Sequence, residues 1–228
     1  MSTTKIKHAI THRLIIRADL KSTSPLRIAN GKGDTADLVL LRDEKNQAYI
    51  PGTSFAGALR ARWEPEKLDE DLPKKTLKSF WGTETSKNPD AYISQSHFQV
   101  SDLKPTNPGV SVVRDGVRID DATGTVEDSK KYDYEVLDSG STFTLKAEIT
   151  VRRDIDAPTI RRLVRWIKSI LQPAPTSDAI RNIGFQVGGN TSKGFGHLKC
   201  SNFRGWEFDY QEAGGAEQWF AYLSDKKL

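Results

Sequence analysis

Cysteine is almost missing from this chain of 228 residues: the single thiol, Cys200, leaves no internal disulfide to form and no cysteine-based zinc site to build. Histidine is scarce as well. His8, His12, His97 and His197 complete neither a metalloprotease nor a zinc-finger motif, so no zinc site is expected. No apolar run approaches the roughly 20 residues that span a bilayer. No apolar segment follows Met1 to Lys7 either, so a cytoplasmic protein without a membrane partner is expected. Neither Gly-x-Gly-x-x-Gly nor Gly-x-x-x-x-Gly-Lys-[Ser/Thr] occurs in proper form, which weakens a nucleotide-loop reading. Apolar residues reach only 36% against 28% charged, polar for this length, and the formal charge of +4 suits a polyanion without demanding one. No linker, repeat or low-complexity tract divides the chain, so a single domain over 1–228 is expected.

What is present is patterned. Ile6 to Asp19, centred on Leu14, Ile15 and Ile16, predicts a long first strand, followed by a polar loop over 21–34. Leu38 to Leu41 and Ala48 to Ile50 predict short strands around a turn at 44–47. A helix is expected after Pro51-Gly52, with Thr53 or Ser54 as N-cap, Phe55, Leu59 and Trp63 on one face, and Pro65 as its stop. Leu77, Phe80 and Trp81 suggest another short helix, and His97 to Val100 a strand. Residues 102–133 carry prolines, glycines and charges with little hydrophobic alternation, and read as an inserted hairpin or mobile loop. Phe143 to Val151 alternates as a half-buried strand. Pro158, Ile160, Leu163, Val164, Ile167 and Leu171 mark the clearest amphipathic helix, with Arg161, Arg162, Arg165 and Lys168 on its other face. Gly196 to Phe203 predicts a closing strand, and the aromatic tail from Trp206 to Tyr222 is expected to pack on the domain. This order fits an α+β, ferredoxin-like (RRM-like) βαββαβ core with insertions.

Two glycine-punctuated segments stand out: Ile50-Pro-Gly-Thr-Ser-Phe-Ala-Gly-Ala-Leu-Arg60 and, far downstream, Gly188-Gly-Asn-Thr-Ser-Lys-Gly-Phe-Gly196. Gly52 and Gly57 either allow a tight strand-to-helix junction or, with Ser54, present helix-start N–H groups to a phosphate that Arg60 also reaches. Lys193, with Gly194 beside it, either lies in a plain turn or sets a charge among accessible backbone donors, which suits a phosphate contact without base reading.

Together these segments resemble the signature of the RAMP superfamily, the RNA-binding proteins of CRISPR effector complexes. Further blocks follow in the family's order: Ser24 to Ile28, Phe80-Trp81-Gly82, Phe98 to Asp102, Val117 to Asp120 with Thr123-Gly124, and Tyr134 to Leu137. The chain resembles the backbone subunit of type III complexes. That resemblance implies guide RNA, target RNA, neighbouring copies of the chain and other CRISPR effector subunits as partners. It also implies a loop aspartate shortly upstream of the Ile-Pro-Gly motif that cleaves target RNA. Asp37 aligns best with that position, and Asp34 lies in the same loop. Such a carboxylate either holds a divalent cation, Mg²⁺ or Mn²⁺, whose shell RNA phosphates complete, or helps deprotonate the attacking 2′-hydroxyl. The resemblance makes the 102–133 insertion a protruding thumb-like hairpin that presses Val117 or Ile119 between nucleotides. Arg27, counted among the RNA contacts, stands where the family often has His. Asp121 stands where it often has Arg.

Two other readings remain open on the same residues. In one the subunit is a non-cleaving RNA-binding scaffold and Asp37 has no chemical role. In the other the chain is a metal-independent guide-processing endonuclease, which would need His12 or His97 as acid or base.

Overall fold

A computed structural model describes residues 9–29, 31, 36–62, 80–82, 95–107, 109–119, 126–152, 156–173 and 184–225. In chain order its elements are β1 (Ile10–Ser22), α1 (Gly52–Ala61), β2 (Phe98–Val100), β3 (Ser111–Ile119), β4 (Val126–Leu137) and β5 (Thr142–Arg152). They continue with α2 (Ala157–Leu171), β6 (Phe185–Gln186), β7 (His197–Asp209) and α3 (Gly215–Ser224). Five strands form one sheet in the order β2-β5-β1-β7-β6, and β3 pairs with β4 as a separate hairpin. Every one of these pairings is antiparallel. The fold is therefore mixed α/β with an antiparallel sheet and few helices.

Period-two alternation decides which sheet face is buried. Leu14, Ile16, Ala18 and Leu20 of β1 join Phe143, Leu145, Ala147 and Ile149 of β5 in the core. Phe55 and Leu59 of α1 and Ile160, Leu163, Ile167 and Leu171 of α2 cover them. Each of these Leu, Ile and Phe side chains contributes about 1.5–3 kcal/mol when fully buried. α2 starts as its sequence suggests: the Asp156 side chain accepts from Thr159 N–H at 2.7 Å, and Pro158 occupies the first turn. α3 lies against the opposite sheet face, where Trp219 and Tyr222 pack on Phe208 with ring centroids 5.2 Å away. Arg13 and Arg17, alternating with the core residues of β1, place their guanidiniums over those two rings.

Several boundaries differ from expectation. β1 runs to Ser22 and β7 to Asp209, both beyond the predicted ends, because each continues the other's hydrogen-bond ladder. α1 begins at Gly52 with Pro51 as its cap residue, not at Thr53 or Ser54. The capping carboxylate comes from elsewhere in the chain: Asp102 Oδ1 accepts from Gly52 N–H at 2.9 Å. The segments around Leu38 and Ala48 form single bridges rather than strands. Within 102–133, β3 pairs with the first part of β4, and β4 continues beyond that segment into the core at Val136 and Leu137. Trp63, Pro65, Leu77, Asp34, Asp120, Asp121, Thr123 and Gly124 lie outside the described residues. Among the described residues no helix is long and apolar enough to cross a membrane.

Candidate nucleic-acid interface

The segment that leaves β1 is a strap held from both sides. On one side Gly196 N–H donates to Pro25 O at 2.8 Å, and Gly189 N–H to Arg27 O at 2.8 Å. On the other, Leu26 and Leu137 exchange two backbone hydrogen bonds of 2.8 and 2.9 Å, and Leu41 N–H donates to Ile28 O at 2.8 Å. The strap thus joins the glycine-rich turn to β4 and to the loop that carries Asp37.

Two glycines make that contact possible. Gly188 has φ +89°, and a Cβ there would lie 2.4 Å from Arg27 O; Gly196 has φ +84°, and its Cβ would lie 2.1 Å from Val187 O. Inside the turn the Gln186 amide donates to Thr191 O at 3.1 Å and to Phe195 O at 3.2 Å, and lies 3.0 Å from His197 Nε2. The turn is therefore shaped before any ligand arrives, with Ser192, Lys193 and Gly194 exposed at its tip. α1 abuts the same region: Phe55 packs edge-on against Phe185 at 5.0 Å, and Arg62 donates to Gln186 Oε1 at 3.3 Å. Residues next to the two glycine-punctuated segments, Arg62 and Gln186, 124 positions apart in sequence, thus bring those segments close together.

Above the strap lies a row of rings flanked by guanidiniums. Tyr132 and Tyr134, two apart on β4, share a strand face with centroids 5.8 Å apart, and Tyr134 lies 6.3 Å from Phe195 of the glycine-rich turn. Arg27 lies over Tyr134 at 5.3 Å and Arg114 of β3 over Phe195 at 5.7 Å. All three rings keep part of their surface in solvent. Arg27 Nε is buried with no hydrogen-bond partner among the described residues. Partly exposed aromatics interleaved with arginines match the needs of single-stranded nucleic acid, whose bases stack and whose phosphates take the charge.

Asp37 sits at the edge of this face. Its Oδ2 accepts from Asp133 N–H at 3.2 Å, Leu38 N–H donates to Asp133 O at 3.2 Å, and Glu135 N–H donates to Leu38 O at 2.8 Å. These bonds place an exposed carboxylate against the backbone on either side of Tyr134. Glu135 braces the same loop, accepting from Leu40 N–H at 2.9 Å and pairing with Arg42. Burial pushes the Glu135 carboxyl up, but the Leu40 N–H, Ser111 and Arg42 outweigh it and leave its pKa below the ordinary value.

The other expected contacts are distributed unevenly. Gly52 is buried against β2, where a Cβ would lie 2.1 Å from Val100 O, and its N–H is committed to Asp102. Ser54 and Arg60 are exposed on α1, Val117 is exposed on β3, and Ile119 ends that strand. Among the described residues no group of three His, Cys, Asp or Glu side chains could hold a metal ion. Asp37 alone is a poor resident metal site, so no step is derived through a protein-bound cation. His12 and His97 are buried. His12 Nε2 meets Asp209 at 3.0 Å, and His97 Nδ1 lies 2.6 Å from Thr150 O.

The aromatic row itself was not anticipated. Its signals, Tyr132 and Tyr134 in alternation and Phe195 among glycines, are visible in the sequence. Their meeting depends on long-range pairing that spacing does not reveal.

The RAMP superfamily profile matches residues 19–199, a span that contains the strap, the Asp37 loop, α1, the hairpin and the glycine-rich turn. The chain belongs to the RAMP superfamily. RAMP proteins are RNA-binding subunits of CRISPR complexes, and the basic aromatic face of this RAMP protein has the chemistry for that role. No curated protein matches the chain.

Proposed function

We propose that this RAMP protein is a guide-RNA-binding backbone subunit of a type III CRISPR ribonucleoprotein, that copies of it follow one another along the guide beside other effector subunits, and that its Asp37 loop cleaves complementary target RNA. The observation that carries the reading is the strap from Ser24 to Ala29, which fixes the glycine-rich turn, the aromatic row and the Asp37 loop on one surface. In this account β1, α1, β2, β5, α2 and β7 form a ferredoxin-like βαββαβ core, and the β3–β4 hairpin is a thumb inserted into it. The sheet order β2-β5-β1-β7 supports that topology. Guide bases do the target recognition, so the protein needs backbone contacts and stacking rather than base-edge readout. Lys193, Gly194 and Arg27 are the phosphate contacts of this scheme. Ser54 and Arg60 extend them along α1, and Val117 and Ile119 of the thumb meet the nucleotides.

Cleavage would proceed with Asp37 taking the proton of a target 2′-hydroxyl. The 2′-oxygen attacks the adjacent phosphorus, the P–O5′ bond breaks, and water protonates the departing 5′-oxygen, leaving a 2′,3′-cyclic phosphate. Among the described residues Asp37 belongs to no group of three metal-ligating side chains, which favours the second reading, a non-cleaving scaffold. Target-RNA cleavage by the assembled complex, with wild-type or Asp37→Ala subunit and Mg²⁺ or Mn²⁺ supplied, separates the two. The slicing reading predicts regularly spaced cuts in the wild type, a loss of about 100-fold or more in Asp37→Ala, and unchanged RNA binding. Equal cleavage by both proteins would assign the chemistry elsewhere. EDTA in the same assay reads the cation requirement: EDTA-resistant cutting that is lost in Asp37→Ala keeps Asp37 as the base without a cation, whereas EDTA-resistant cutting that persists in Asp37→Ala points back to the guide-processing alternative.

A further inference from the structure

The sheet face turned away from α1 and α2 is strongly basic. The register sets Arg17 of β1 opposite Lys146 of β5 on one side and Arg204 of β7 on the other, and Lys21 opposite Lys199. Like charges directly opposite on neighbouring strands destabilise a sheet unless something compensates them. Lys21, Lys146, Lys199 and Arg204 are exposed, and none makes an ion pair among the described residues. Of the acidic groups on this face, Glu148 pairs with Arg13, while Asp19, between the two rows, accepts from Asn202 at 2.7 Å and keeps its charge, which leaves the cations in excess. Beside the Arg17 row opens a cleft of about 280 Å³ bordered by Arg17, Lys146, Gln99, Ser101, Glu148 and Tyr222. The Arg17 guanidinium is anchored there by its Nε–H bond to the Tyr222 hydroxyl at 3.1 Å.

We propose that this outer sheet face is a second RNA-contact surface, which holds the phosphates of single-stranded RNA along β1 from Lys21 and Lys199 to Arg17, Lys146 and Arg204. The proposal rests on the reading of the chain as an RNA-binding subunit and assigns it a surface separate from the aromatic row. RNA is favoured over an acidic protein by the shape and position of the charge. The cations stand in two rows across the strands, at Arg17 and at Lys21, four residue steps or about 13 Å apart along β1, a spacing that phosphates of one extended strand can bridge. The band also ends where the first surface begins: Thr23 N–H donates to His197 O at 2.9 Å, and His197 N–H to Ser24 Oγ at 2.9 Å, at the foot of the glycine-rich turn.

The test is fluorescence anisotropy with a labelled, unstructured pyrimidine RNA over a range of salt, using the full chain. The outer-face variant is Lys21→Ala/Lys146→Ala/Lys199→Ala/Arg204→Ala; Arg17 is kept because it supports α3. A variant of the first surface, Arg27→Ala/Lys193→Ala, is measured alongside. The outer-face variant should bind at least about tenfold more weakly, with a slope of log K against log salt shallower by about 3, since each lost single-strand phosphate contact removes about 0.7. Cross-linking of 4-thiouridine RNA to the wild-type chain should label Tyr222 or Trp206. Wild-type affinity and slope in the outer-face variant, with cross-links confined to Tyr132, Tyr134 and Phe195, would overturn the proposal. So would an outer-face variant that binds RNA normally but loses an acidic subunit of the complex. A wild-type chain that binds no RNA overturns the underlying reading as well, whereas weakening confined to Arg27→Ala/Lys193→Ala overturns only the outer face.

Discussion

Arg27 serves the aromatic face through two different groups: its carbonyl oxygen takes the Gly189 N–H, and its guanidinium lies over Tyr134. Neither link is visible in the sequence, where Arg27 is a basic residue in a polar loop and its partners lie more than a hundred positions downstream. Asp156 is the opposite case, since the N–H it caps belongs to Thr159, only three positions on. The Thr159 N–H is the main cause that holds its carboxyl below the ordinary range. A depressed carboxylate contributes stability in full above its unfolded-state value and loses it as pH falls through the folded-state value. Asp156→Ala should therefore cost about 1 kcal/mol at neutral pH, and the deficit should shrink below about pH 4. Urea unfolding at neutral and acidic pH checks this, and a deficit independent of pH would show that the charged cap is not the cause.

At the scale of elements, α2 was legible because its apolar residues recur at helical spacing and all meet one core. α1 was legible in place but not in its cap, because the carboxylate on its first N–H comes from Asp102, fifty positions away. β4 was the least legible. Its Lys130-Lys-Tyr-Asp-Tyr-Glu135 stretch lacks apolar alternation, because this strand pairs only with β3 over most of its length and its rings serve a surface. The glycine-rich turn and β4 meet through Phe195 and Tyr134, so the row can be tested by removing one ring. Phe195→Ala should weaken single-stranded RNA binding by about 5- to 100-fold, the range for one stacked base, with little change in thermal stability, because Phe195 is only half-buried. Unchanged affinity in anisotropy measurements would remove stacking from the account.

Across the whole molecule, a core with α1 and α2 on one sheet face leaves two regions open: the edge where the strap, turn and hairpin converge, and the face that α3 covers only in part. The family match spans the first region and ends at Lys199, short of most of β7 and all of α3. The signature motifs in the sequence identified the family and pointed to the turn and to Asp37. They could not place Arg114 over Phe195 or align Lys146, Arg17 and Arg204, because those relations exist only once strand register is set. The central claim, that the face joined by the strap binds RNA, is tested most directly by the salt dependence of single-stranded RNA binding. The comparison is between the wild type and an Arg27→Ala/Arg114→Ala/Lys193→Ala variant. The account predicts weaker binding and a salt slope shallower by about 2, three contacts at about 0.7 each. A variant whose affinity and slope equal those of the wild type would contradict it.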